Sequence, residues 1–222
     1  PAGRRILPGI VERESQRAPR GVQRLRAGEA RRVPWKNGRG VTRELALWPS
    51  DASLERLDFD WRLSAAPVDE PGPFSRLPGY ERILVVTEGA GCELVHGADA
   101  PRARLRRLEP YRFAGAWATA AELPYGPVAD FNVIFAPERV QASVEPVALG
   151  ARRLREALGQ GHAFLHVLAG ALDVRVTGEE EPFELGPGDS LWVRGARSGE
   201  ELELVGRERG AEALLVTLRE AG

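Results

Sequence analysis

Leu84-Val85-Val86-Thr87-Glu88-Gly89-Ala90-Gly91-Cys92-Glu93-Leu94 reads as an apolar strand, a glycine turn and a second strand. Leu165-His166-Val167-Leu168-Ala169-Gly170-Ala171-Leu172-Asp173-Val174 repeats the pattern in the second half of the chain. Each copy is followed by a further turn and strand. These are Leu108-Glu109-Pro110-Tyr111-Arg112-Phe113 in the first half and Leu185-Gly186-Pro187-Gly188-Asp189-Ser190-Leu191-Trp192-Val193 in the second. Self-similarity on this scale predicts two like units in one chain. Outward from these stretches, short apolar runs alternate with Pro and Gly, the punctuation of an all-β fold. Phe131-Asn132-Val133-Ile134-Phe135 is one such run, and Leu172-Asp173-Val174-Arg175-Val176 alternates apolar and charged residues as a strand with one wet face does. The 17 prolines and 25 glycines are spread along the chain, as turns require, and form no linker. Ala151 to Leu158 reads as a short helix or turn between the halves. Residues 1–20, rich in Arg, Pro and Gly, read as a loosely held arm.

Composition narrows the function classes. The chain has 222 residues, of which 43% are hydrophobic and 28% charged, an ordinary balance for a globular protein. A net charge of −1 provides no basic field for nucleic acid or a membrane surface. No apolar run approaches the ~20 residues that span a bilayer, and Pro1-Ala2-Gly3-Arg4-Arg5 has no apolar signal core. The single cysteine, Cys92, rules out an intramolecular disulfide and fits a reducing, cytoplasmic setting. It lies in a strand-like run, where a buried, inert thiol is expected.

Strand, glycine turn, strand, then Gly186-Pro187-Gly188-Asp189 resembles the cupin barrel, and two such units predict a bicupin. The expected division is an arm over 1–20, a first cupin-like barrel over 21–136 and a second over 137–222. Cupin enzymes resemble one another in a His-x-His pair, a downstream Glu and a later His, which together hold a divalent metal. This chain has three histidines, His96, His162 and His166, and lacks that set. His162 and His166 share a strand face but are too few for a catalytic site, which takes three or more protein ligands. Surface or hydrogen-bonded roles are expected for all three, with no metal and no cofactor.

The unusual polar chemistry lies in the first half. Lys36 is the only lysine among 31 Lys plus Arg, and Asn37 and Asn132 are the only asparagines. A lysine retained where every other cation is arginine suggests a position that needs a compact ammonium. Trp35-Lys36-Asn37-Gly38-Arg39-Gly40 is a turn by its Asn-Gly content. It leads into Val41-Thr42-Arg43-Glu44-Leu45-Ala46-Leu47-Trp48, where strand periodicity puts Thr42, Glu44 and Ala46 on one face. Phe59-Asp60-Trp61-Arg62-Leu63-Ser64-Ala65-Ala66 puts Arg62, Ser64 and Ala66 on one side. Charges on strands that otherwise build a core are costly unless paired. The coincidence with the rare Lys and Asn therefore predicts a polar pocket.

Trp35-Lys36-Asn37-Gly38, Gly40-Val41-Thr42-Arg43-Glu44, Phe59-Asp60-Trp61-Arg62-Leu63-Ser64, Gly72-Pro73-Phe74-Ser75 with Pro78-Gly79 and Arg82, and Asp130-Phe131-Asn132-Val133 together resemble the HutD/Ves family. The resemblance runs from about Trp35 to Val133 and departs at Arg39, where the family usually has Gly. It implies a bicupin without the usual metal ligands, in a bacterial cytosolic protein associated with histidine utilization. It also implies a small-ligand-responsive modulator whose pocket takes a carboxylate-bearing metabolite such as urocanate or formylglutamate. The expected ligand-binding set is Lys36, Asn37, Thr42, Glu44, Arg62, Ser64, Arg82, Asp130 and Asn132. In it Lys36 with Arg62 or Arg82 would hold the carboxylate. Two alternatives stand beside this reading. One is a metal-free isomerase or hydrolase with Glu44 as base and Lys36 as charge stabiliser. The other is a structural or partner-binding bicupin. The expected partner is a small molecule, not nucleic acid or membrane, and a homodimer is left open.

Overall fold

Ile83, Leu84, Val85 and Val86 are apolar at consecutive positions because their strand is buried on both faces. A computed structural model describes residues 19–35, 40–97, 101–150 and 153–222. In chain order the strands of the first half are β1 (Gly21–Leu25), β2 (Arg31–Pro34), β3 (Val41–Trp48), β4 (Trp61–Val68), β5 (Gly72–Pro73), β6 (Glu81–Glu88), β7 (Cys92–His96), β8 (Ala103–Leu105), β9 (Tyr111–Ala114), β10 (Thr119–Glu122) and β11 (Val128–Phe135). Those of the second are β12 (Val140–Leu149), β13 (Arg153–Ala157), β14 (Gly161–Ala169), β15 (Leu172–Val176), β16 (Phe183–Leu185), β17 (Ser190–Ala196), β18 (Glu201–Gly206) and β19 (Ala211–Glu220). Among the described residues there is no helix, hence none long and apolar enough to cross a membrane.

The all-β, doubled cupin-like architecture is present. Each unit is a pair of facing antiparallel sheets, as in a jelly roll, and not one continuously hydrogen-bonded ring. The first pairs β2-β3-β4-β11-β6-β9 with β5-β10-β7-β8, and the second pairs β1-β17-β14-β19-β12 with β13-β18-β15-β16. The chain crosses between units after β11. One strand from the start of the chain, β1, is hydrogen bonded along β17 in the second unit, from Gly21 opposite Arg194 to Leu25 opposite Ser190. Arg20 is tied to the same unit by Nε donating to Glu200 Oε1 at 3.1 Å.

Two turns show why glycine was legible in the repeat. Gly89 has φ +89°, and a Cβ there would come within 2.5 Å of the Pro127 carbonyl oxygen. Gly170, its counterpart, has φ +67° and would meet Ala211 at 2.8 Å. Cys92, inside the first unit, is buried, and burial pushes its thiol up to about 11, consistent with an inert core residue.

Two local expectations are corrected. The stretch after Ala151 is not helical: Arg153–Ala157 is strand β13, antiparallel to β18. The five-residue ladder with β18 and the packing of Leu154 on the core of the second unit override the local helical bias, with Arg153 and Arg155 both pairing with Glu203 across the ladder. Ala46 does not share a face with Glu44, because the β3–β4 register shifts between these two residues. The bulge turns Ala46 to the opposite, apolar face.

The large sheets of the two units pack back to back. Leu63, Ile83, Val85, Phe131 and Val133 of the first meet Phe164, Leu214 and Val216 of the second in one buried cluster. Two of the three histidines sit here. His166 Nδ1 lies 2.8 Å from Ser190 Oγ, and its ring stacks on Phe131. His162 accepts from Trp192 Nε1 at 3.3 Å and packs among Trp48, Trp61 and Trp192. All three are hydrogen bonded; His96 and His166 are buried and His162 is partly exposed. Burial holds both interface rings near 4, with Arg43 acting in the same direction on His166 and Asp189 against it. The folded-state values lie below the ordinary one. The stability these rings contribute is therefore present above the unfolded histidine pKa and is lost as pH falls through about 4. For His166, 3% exposed, the loss between pH 7 and pH 4.5 should reach about 2–3 kcal/mol. Urea midpoints at the two pH values, compared between wild type and His166→Asn, measure it. An equal pH dependence in both would remove His166 from acid unfolding.

Candidate functional site

On the inward face of the six-stranded sheet, Leu84 and Val86 join the core of the first unit. Polar and charged side chains are interleaved with these on the same face. Register places Glu44 opposite Ser64, Ser64 opposite Asn132, and Asn132 opposite Leu84, a single row across β3, β4, β11 and β6. One step along, Arg62 and Arg82 flank Ile134, and Phe113 lies opposite Arg82. One step the other way, Asp130 lies between Ala66 and Val86. Glu44, Arg62, Ser64, Arg82, Asp130 and Asn132 thus stand on one face of four neighbouring strands. They come from distant parts of the chain, and period-2 alternation puts them there.

The charges in this group are arranged unequally. Arg62 Nε donates to Glu44 Oε2 at 2.7 Å and Arg62 Nη1 to Ser64 Oγ at 3.3 Å. Glu44 also faces Arg31 at 3.5 Å, but that arginine side chain is 78% exposed. Glu44 and Arg62 are therefore mutually committed. Arg82 is 4% exposed and has no such partner. Its Nε reaches Asn132 Oδ1 at 3.5 Å, and its guanidinium carbon lies 4.5 Å from the Phe74 ring centre and 5.3 Å from that of Phe113. Among the described residues it forms no ion pair; Asp130 and Arg62 act on it through space. Burial brings Arg82 down to about 10 and lifts the Asp130 carboxyl to about 7, with each partly restored by the other's charge.

Thr42 is engaged differently. Its Oγ1 accepts from Trp35 Nε1 at 2.8 Å. Trp35 N donates to the Gly40 carbonyl at 2.9 Å, and a Cβ at Gly40 would lie 2.9 Å from the Trp35 ring. Glycine is required there because the indole covers it. Lys36 and Asn37, with Arg39, fall between these two anchors and lie outside the described residues. A groove of about 330 Å³ opens between the Leu25–Arg31 segment, β3, and Gly188 and Ser190 of the second unit. Of the described members of the polar set only Glu44 lines it.

Sequence reasoning missed His96 and Thr119. His96 ends β7, where Cys92, Leu94 and His96 are buried and Glu93 and Val95 less so. That alternation was present in the sequence and pointed His96 inward; the loop-like residues after it hid the signal. Among the described residues no group of three or more His, Cys, Asp or Glu side chains is placed to hold a metal ion.

The fold and this face define a doubled cupin with a charged patch inside its first unit. The HutD family model matches residues 27–213, and the chain belongs to the HutD family. That family is linked to histidine utilization. An uncharacterized 21.2 kDa protein in the hutC 3′ region of Pseudomonas putida is 39% identical over 125 residues, 56% of this chain and 63% of that protein's length. Protein Ves of Citrobacter koseri is 33% identical over 147 residues, 64% of this chain and 72% of that protein. The structure of HutD from Pseudomonas fluorescens SBW25 superposes with a TM-score of 0.72 at 32% identity, covering 91% of this chain and all of that one.

Proposed function

We propose that the first cupin unit binds a small carboxylate-bearing metabolite at Arg82, and that the chain is a cytoplasmic, ligand-responsive modulator and not an enzyme. Family membership makes an acid of histidine breakdown, such as urocanate or formylglutamate, the first class to test. One observation carries the reading. Arg82 is a buried guanidinium with no carboxylate bound to it among the described residues, beside one long hydrogen bond and two aromatic rings. A buried cation whose nearby carboxylate, Asp130, acts through space and forms no ion pair with it is expensive. The planar fork of arginine suits a carboxylate, which supplies both charge and orientation. Asn132, Ser64 and the Arg62–Glu44 pair would frame the acid, with Lys36 and Asn37 as further candidates from the sequence.

Thermal shift against a panel of histidine-pathway and related acids tests this. A binder at a hundredfold excess over its Kd should add ~2.7 kcal/mol. No shift with any acid, confirmed by calorimetry, would end the reading. Asp130 adds a pH signature. Its carboxyl titrates near 7, and when ionised it competes with a ligand for Arg82. Affinity for a fully ionised acid should therefore fall several-fold from pH 6 to pH 8, and Asp130→Asn should flatten the profile.

The enzyme alternative has one observation in its favour, and it points away from Glu44. That carboxylate is held by Arg62, whereas Asp130 titrates in the range a general base needs. Product formation from any acid that binds, lost in Asp130→Asn, would favour it.

A further inference from the structure

His96 is 2% exposed and half satisfied. Its Nδ1 lies 2.8 Å from Thr119 Oγ1, its direct neighbour across the β7–β10 ladder. Its Nε2 is buried with no hydrogen-bond partner among the described residues. The ring stands among Tyr111 at 5.6 Å, Phe113 at 5.0 Å and Trp117 at 4.9 Å between ring centres. Among the described residues neither the Tyr111 hydroxyl nor the Trp117 indole N–H is hydrogen bonded to Nε2, so the nitrogen's desolvation is left uncompensated. Such groups are rare in folded proteins and ask for a reason.

Position supplies one. Phe113 is shared: one ring contacts both His96 and the guanidinium of Arg82. The β7 strand belongs to the smaller sheet and β6 to the larger, so the two polar groups approach the same ring from opposite sheets of the sandwich. Trp117, the outermost member of the aromatic set, is 40% exposed and connects the set to solvent.

We propose that His96 is a specificity-determining contact of this site, presenting Nε2 to a second hydrogen-bonding group on the ligand, beyond the carboxylate that Arg82 holds. The proposal rests on that role for Arg82. Burial holds His96 below the ordinary histidine value, so at neutral pH the ring is neutral, with one nitrogen a donor and the other an acceptor. Thr119 sets which is which. If its hydroxyl donates to Nδ1, then Nε2–H donates to the ligand; if it accepts from Nδ1–H, then Nε2 accepts. The ligand is in either case a bifunctional acid, and a plain aliphatic monocarboxylate would fill only half the site.

The test uses the full chain and matched acids titrated by calorimetry. Propionate to hexanoate carry the carboxylate alone. Succinate to adipate add an acceptor at the far end, and 4-aminobutyrate adds a donor. At least one bifunctional acid should bind wild type about three- to tenfold tighter than its matched monocarboxylate, the worth of one hydrogen bond. His96→Phe, which keeps an aromatic ring and deletes the nitrogens, should bring that ratio to about one. The unliganded variant should still fold but melt somewhat lower than wild type, because the buried Thr119 hydroxyl loses its Nδ1 partner, and His96→Phe with Thr119→Val, which removes both partners, should recover that loss. Nitrogen NMR of wild type supplies a readout that does not depend on the variant folding. The His96 Nε2 resonance should move with the preferred bifunctional acid and not with its monocarboxylate partner. Monocarboxylates that bind with no bifunctional gain, or a gain that survives in His96→Phe, overturn the proposal while leaving Arg82 in place. Failure of every acid in wild type overturns both.

Discussion

Arg82→Gln should remove carboxylate binding and leave the fold intact. The binding loss should be roughly thirtyfold or more, because truncating a buried charge partner costs about 2–5 kcal/mol. Stability should respond differently. Arg82 is buried without an ion pair among the described residues, so its charge already works against folding. Glutamine retains a donor for Asn132 and removes that cost. Asp130 then loses its nearby positive charge, rises further and stays protonated at neutral pH, so no bare carboxylate is left behind. The urea midpoint should be level or higher at pH 7. Arg82→Lys separates charge from geometry. It keeps the cation and loses the planar fork, so its affinity should fall between the two. Calorimetry with the acid that binds wild type most tightly decides the matter. Equal affinity in wild type and Arg82→Gln would move the site elsewhere; a collapse of stability in Arg82→Gln would make the arginine structural.

The doubled glycine turns were legible because φ is positive at Gly89 and Gly170 and a neighbouring chain closes over each. Strand alternation likewise anticipated that Arg62, Ser64 and Ala66 share a side, as the β4–β11 register has them. Alternation failed at Glu44 and Ala46, because a bulge depends on pairing with β4 and leaves no mark on β3 alone. It also missed the pairing of β1 with β17, since five residues near the start of the chain do not state which sheet edge they will complete. Ala151 to Leu158 read as a short helix or turn, and pairing of Arg153–Ala157 with β18, distant in sequence, decided otherwise. For the site, the family resemblance supplied the polar residues and the structure their inequality: Glu44 and Arg62 are satisfied by each other, and Arg82 is not. Composition drew attention first to Lys36 and Asn37, which lie outside the described residues. Lys36→Ala remains the experiment for these residues, with binding of an acid weakened by about 2–5 kcal/mol if its ammonium is a buried partner.

Arg62→Ala should destabilise the protein by about 3–5 kcal/mol, the usual consequence of removing one member of a buried pair. The Arg62 side chain is 5% exposed and that of Glu44 11%, and they meet at 2.7 Å. Without Arg62, the Glu44 carboxylate keeps, among the described residues, only Arg31, a largely exposed side chain at 3.5 Å whose contribution is of the small size usual for surface pairs. Ser64 loses the guanidinium that donates to it. Glu44→Ala should be comparably severe, since it strands an arginine that cannot shed its proton. The informative variant is the double one. Arg62→Met with Glu44→Leu removes both charges and fills their volume, and buried pairs so replaced are often neutral or better. Stability should return to within about 1 kcal/mol of wild type, so that the cycle reports strong coupling. Binding then separates the two roles of the pair. If it serves only to close the sheet edge beside β3, the repaired double variant binds acids as wild type does. If it also orients the acid held by Arg82, affinity stays low although the fold is restored. Single-variant losses that simply add in the double variant would show that the two side chains do not act as a pair.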